Sequence, residues 1–156
     1  MNFASTLEHI EDAFYRSALE KNSIPKEHEA VFQHIGLHEA QHVKLLTGAL
    51  GDATVKRPNA EFTAGGKYAD VFSNFKTFLT LSQTFQDLGV AAYKGQAENL
   101  MAKGDILTAA LQIHSVEARH GAVVRRIGGM KAWDGAFDEA KTKEEVLAAA
   151  GPFLKA

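Results

Sequence analysis

The chain contains no cysteine. Disulfides, thiolate metal sites and cysteine nucleophiles are therefore excluded. No window of roughly eighteen residues is apolar throughout, so no membrane-spanning helix is expected. Neither sign of charge dominates: 17 Lys and Arg stand against 19 Asp and Glu, a formal net charge of -2. The basic residues are scattered, with no stripe along one face. A nucleic-acid partner and an anionic membrane surface are both excluded on that ground. The opening residues, Met1-Asn2-Phe3-Ala4, lack a basic region followed by an apolar run. The expectation is a cytoplasmic protein as written, or an exported one if a signal peptide has been removed. No glycine-rich phosphate loop follows a strand, and no serine nucleophile elbow is present.

Apolar residues make up 46% of the 156 and charged residues 23%, which suits one globular domain with a real core. Helical periodicity dominates. Phe3, Leu7, Ile10 and Phe14 predict a first helix over about 3–21, ended by Asn22-Ser23-Ile24-Pro25. Pro25 suits the first turn of a second helix over about 26–50, which stops at Gly51-Asp52. A polar stretch of about seventeen residues, Gly51 to Lys67, has no helical period. A third helix is predicted over about 68–101, buried on two flanks. A fourth is capped by Asp105 and runs to about Ile127, before Gly128-Gly129. Thr142-x-x-Glu145 is a capping-box pattern that opens a short fifth helix, ended by Gly151-Pro152. The tail with Trp133 and Phe137 is expected to pack as a lid.

Tight turns join helices one and two, and three and four, so each pair reads as an antiparallel hairpin. The middle connection could span ~55 Å when extended, enough to run back along a whole helix. Two hairpins joined by one long crossover differ from a simple up-down-up-down bundle. The expected organisation is a single all-α domain over 1–156, with the bundle at about 3–128 and an extension at 129–156.

The apolar seams of two helices are interrupted by ionisable groups. On the fourth predicted helix the seam is Ile106, Ala110, Ile113, Glu117, His120, Val124, Ile127. On the second it is Phe32, Ile35, Glu39, His42, Leu46, Ala49. Glu at i and His at i+3 share a helix face, so one ion can contact both. An unpaired buried carboxylate costs several kcal/mol. A divalent cation offsets several carboxylates at once, and this oxygen–nitrogen donor set suits iron, manganese or zinc better than calcium or magnesium. A core ion pair is the bland alternative for one such motif; two on the seam favour a metal.

A shift of 78 residues carries Glu39 onto Glu117, His42 onto His120, Gly51 onto Gly129 and Tyr15 onto Tyr93. The chain therefore reads as two related hairpins. The same shift carries Glu8 onto Gln86. The third-helix seam Phe75, Leu79, Ser82, Gln86, Gly89, Tyr93 independently points Gln86 inward, whereas Asp87 falls on a stripe with Thr80, Thr84, Ala91 and Lys94 that looks solvent-facing. The inferred metal-ligand constellation is Glu8, Glu39, His42, Gln86, Glu117 and His120. His34 and His38, spaced i and i+4, could bind a surface metal but read as surface histidines. His9 and His28 have no evident partner, and His114 reads as partly buried. Tyr15 and Tyr93 either hydrogen-bond the site or simply pack in the core.

A Glu on helix one, a carboxylate position on helix three, and Glu-x-x-His on helices two and four resemble the ferritin-like di-iron carboxylate superfamily. More narrowly, 7–15 (LEHIEDAFY), 89–93 (GVAAY), 116–120 (VEARH), 132–137 (AWDGAF) and 149–153 (AAGPF) resemble the ferritin-like and desiccation-related family. The resemblance covers nearly the whole chain and implies a ferritin-like four-helix bundle. It implies that Glu39 and Glu117 bridge two ions, one held also by Glu8 and His42, the other by His120 and the amide oxygen of Gln86. The departure is Gln86, where the pattern wants a Glu; one tight and one weak position follow. The resemblance implies iron or manganese as cofactor, dioxygen or peroxide as reaction partner, and oxidant- or stress-related chemistry. A non-catalytic or metal-free bundle for stress protection or assembly is the alternative. Enzymatic turnover and a homo-oligomer are left open.

Overall fold

The computed structural model describes residues 2–133 and 135–155. Met1, Asp134 and Ala156 lie outside the described residues, Asp134 being part of the 132–137 motif. Five α-helices account for most of the chain: α1 (Asn2–Glu20), α2 (Lys26–Leu50), α3 (Phe75–Leu100), α4 (Gly104–Ile127) and α5 (Lys143–Ala150). Short 3-10 turns cover Gly51–Ala53 and Gly151–Phe153. Among the described residues there is no strand, only an isolated antiparallel bridge between Ala60 and Leu154. No helix among them is long and apolar enough to cross a membrane. The chain divides into two compact units, Met1–Phe78 with Ala150–Ala156, and Leu79–Ala149. The boundary falls at the 78-residue period of the repeat.

In the first unit α1 packs on α2. The turn between them is closed by a left-handed residue, Asn22 at φ 52°, which lets the Ser23 N–H reach back to the Ala18 carbonyl at 2.9 Å. This i-to-i−5 bond satisfies a carbonyl that the helix end would otherwise orphan. Pro25 caps α2 (ψ 143°) and does not enter its first turn. The core is aromatic. Phe14 stacks on Phe78 with centroids 5.1 Å apart, and Phe32 meets Phe78 edge-on at 4.9 Å. Each of these rings is fully buried, and truncating one to Ala costs about 3–5 kcal/mol.

The crossover is not loose. Phe62 and Val71 are buried, and Phe62 lies 5.2 Å from Phe14. The C-terminal residues return to it: the Glu61 N–H donates to the Phe153 carbonyl at 2.8 Å, and the Lys155 N–H to that of Asn59 at 2.9 Å.

Helix α3 begins seven residues later than its aromatic period suggests. Residues 68–73 form turns instead. The reason is Asn74, whose Oδ1 accepts the Lys76 N–H at 3.1 Å and so caps α3. The Asp70 carbonyl accepts the Asn74 N–H at 2.8 Å, which holds the preceding turn. Side-chain caps compete with helix continuation where the period of Phe72 and Phe75 alone would extend it.

In the second unit α3 and α4 form a hairpin through Lys103. Asp105 lies in the first turn of α4 and is not its cap, which is Lys103. A carboxylate there still favours the positive helix end. Gly129, at φ 75°, ends α4 and lets the Met130 N–H reach the Arg125 carbonyl at 2.9 Å. Its repeat partner Gly51 also has positive φ, 53°. The Thr142 capping box forms reciprocally: Thr142 N–H to Glu145 Oε2 at 2.7 Å, Glu145 N–H to Thr142 Oγ1 at 3.2 Å.

The segment between α4 and α5 straps onto α3. The Lys141 N–H donates to the Ala91 carbonyl at 3.1 Å. The strap passes so close to Gly95 that a Cβ there would lie 1.9 Å from the Lys141 oxygen. Lys94 pairs with Asp138 at 2.9 Å. This strap covers Ala91 and half-covers Asp87, so the stripe expected to face solvent does so only at Thr80 and Thr84. The lid expectation is corrected in its aromatic part. Trp133 and Phe137 remain 71% and 94% exposed. They line a cavity of about 730 Å³ with Asp87, Ala91, Ala122 and Arg125.

Candidate metal centre

All six expected ligands are buried: Glu8, Glu39, His42, Gln86, Glu117 and His120. Each sits where the apolar period of its helix brings it inward. Ile35 and Leu46 flank Glu39 and His42 on α2, and Ile113 and Val124 flank Glu117 and His120 on α4. Ser82 and Tyr93 are buried with Gln86 on α3. Ala49, at the end of the α2 seam, is exposed.

In the first unit His42 Nδ1 lies 3.1 Å from Glu8 Oε2 and 3.1 Å from Glu39 Oε2. Each of these three residues offers one ligand atom, and those atoms all lie within 4.8 Å of one another. This is a buried Glu and His cluster able to hold a metal ion. The second unit repeats the arrangement with neutral chemistry at one corner. His120 Nδ1 lies 3.0 Å from Gln86 Oε1, and 4.0 Å from Glu117 Oε1. The two histidine contacts bridge the same separation, 34 residues in each half.

Tyr15 packs in the aromatic core, 5.4 Å from Phe14 and 6.2 Å from Phe32. His28 stacks on Phe75 at 5.4 Å. Burial, and then the positive charge of Arg57, lower the His9 pKa. Burial and then Lys94 lower that of His114, with Asp138 opposing.

Two polar features escape sequence reading. Buried Asp12 pairs with both Arg16 and Arg57. The Arg16 partner is visible at i+4, but Arg57 comes from the crossover. Asp87 pairs with Arg125 at 2.6 Å, a contact across the α3–α4 hairpin with no local signature. Glu11, which its place one turn beyond Glu8 marks in the sequence as a possible substitute ligand, is buried as well.

An all-α chain of four long helices and a short fifth, with carboxylate–imidazole clusters buried on its seams, belongs to the class of helical bundles whose core is able to hold a metal. A family model for the ferritin-like domain matches residues 1–130, and the chain belongs to that family. Its fold is accordingly the ferritin-like four-helix bundle, with α5 added. Comparison with curated proteins gives no match.

Proposed function

We propose that this is a ferritin-like metal-binding protein whose six buried ligands hold a di-iron or di-manganese carboxylate centre serving oxidant- or stress-related redox chemistry. One observation carries the reading. In the first unit two buried carboxylates share a single imidazole nitrogen. Gathering two buried carboxylates around one imidazole costs free energy through desolvation and mutual repulsion. A divalent cation offsets both.

Glu8, Glu39 and His42 would hold one ion. His120, Glu117 and the Gln86 amide oxygen would hold the other, with Glu39 and Glu117 shared. The Gln86 half has one carboxylate where its counterpart has two, and its Glu–His separation is 4.0 Å against 3.1 Å. Both differences support one tight and one weak position. His42 would have to be neutral and Glu8 and Glu39 ionised to hold an ion, so any proton shared among the three would leave on binding. Bound iron would supply ferroxidase or oxygenase chemistry, bound manganese peroxide disproportionation, and zinc would fit the donors without redox. We read 1–156 as one domain built around this centre.

A metal-free polar core is the second reading, favoured by the His120–Gln86 contact of 3.0 Å, which satisfies both groups without an ion. Metal content per chain separates the two. It is measured by plasma mass spectrometry after chelator-free purification and again after anaerobic Fe(II) or Mn(II) loading. The metal reading expects about one or two equivalents, lost in Glu39→Ala/Glu117→Ala. Retention of no metal under either condition refutes it.

A further inference from the structure

Three of the seven histidines lie on one helix at steps of four: His34, His38 and His42 on α2. Each step advances about 6 Å along the axis and turns by about 40°, so the imidazoles form one slowly winding stripe. Burial deepens along it. His34 is exposed, His38 half-buried and His42 buried. The His34 and His38 rings touch, with centroids 4.3 Å apart and planes at 65°. That angle excludes face-to-face stacking. It leaves two imidazoles side by side on a helix surface whose backbone already sets their spacing.

Such a pair chelates a divalent transition ion at little ordering cost, because imidazole is a favoured donor and the helix holds both rings on one face. The stripe also runs from weak to strong donors. Its outer end offers imidazole nitrogen alone. Its inner end, His42, lies 3.1 Å from each of two carboxylates. An ion moving inward gains two negative ligands, which offset the hydration it loses, and i, i+4 side chains are neighbours on a helix surface.

We propose that His34 and His38 form a surface site that captures a divalent transition metal ion and feeds it to His42. The feeding step rests on the metal reading of the buried centre; the capture site does not. His34 and His38 thereby acquire a task that their spacing alone did not assign.

The test uses Zn(II) alone as probe, on the metal-free full chain. Calorimetric titration reads the binding classes. Transfer from a coloured chelator reads the filling rate. The expected wild-type result is a tight class and a weaker one in which the surface pair is told apart from the Gln86 position by its response to changes at His34 and His38. His34→Gln/His38→Gln should weaken the weaker class by at least about tenfold and slow filling of the tight class severalfold, with the tight stoichiometry unchanged. His34→Gln alone, at an exposed position that folding does not need, should weaken the same class. Glu39→Gln/His42→Gln should lose the tight class and keep the weaker one. Identical binding classes in wild type and His34→Gln/His38→Gln overturn the capture site. Loss of the weaker class with an unchanged filling rate overturns the feeding step. A weaker class sensitive to His34→Gln, with no tight class in the wild type, sinks the buried metal centre and leaves the capture site standing.

Discussion

Glu39→Gln separates a metal centre from a structural polar network by the sign of its effect on stability. Glu39 is fully buried, and its Oε2 lies 3.1 Å from His42 Nδ1, which is equally close to Glu8. In the metal reading the chelated protein holds two buried carboxylates together without the ion that offsets their repulsion. Removing one charge with an isosteric amide should then leave the metal-free variant as stable as wild type or more stable. In the network reading the same change weakens a hydrogen bond to a charged group, worth about 1.5–3 kcal/mol. Added metal works in the opposite direction. At a free concentration a hundredfold above its dissociation constant it stabilises the wild type by about 2.7 kcal/mol. For a chain of this size that raises Tm by about 5–10 °C. Glu39→Gln should lose most of that rise. The assay is a pair of thermal melts, in chelator and in excess Mn(II) or Zn(II). A Tm in chelator several degrees below wild type, with no metal-dependent rise in either protein, would refute the reasoning.

Gln86→Glu restores the missing carboxylate of the weaker half, so metal content should rise toward two equivalents per chain; unchanged stoichiometry removes Gln86 as the cause of asymmetry. Gly95→Ala forces a Cβ to within 1.9 Å of the Lys141 oxygen, a backbone atom that no rotamer change can relieve. Lifting the strap forfeits the Lys141–Ala91 hydrogen bond, at about 1 kcal/mol, and should expose 131–142 to limited proteolysis; a cleavage rate equal to wild type contradicts this. Burial, and then Lys94, hold the His114 pKa below its ordinary 6.5, so the unfolded chain binds the extra proton as pH falls. Stability is therefore full above about 6.5 and declines below it, and His114→Gln should flatten that decline in urea melts at stepped pH. An unchanged slope would exclude His114 as its source.

Much of the scaffold is legible because helical period and capping chemistry are local. The ends of α1, α2 and α4 depend on Asn22, Gly51 and Gly129, and the α5 start on Thr142 and Glu145, all readable in place. Glu39, His42, Glu117 and His120 are legible because a Glu or His inside an apolar period contradicts its surroundings, and Glu8 through the repeat. Gln86 shows no such contradiction by charge; the repeat and the α3 seam reveal it. The start of α3 is misread because Asn74 and Asp70 offer the backbone partners that an aromatic period does not register. Asp87–Arg125 and Asp12–Arg57 depend on which surfaces meet, and the strap on a backbone crossing at Gly95. No periodicity encodes those pairings.

Trp133 is the only tryptophan in the chain, and it stands 71% exposed on the strap beside the cavity. The protein therefore carries a built-in lamp at a single known place. Tryptophan emission shifts toward the blue when the indole loses water. Any ligand, partner or rearrangement that covers this segment can be followed without a label, and a spectrum that stays red reports that the strap has kept its exposure.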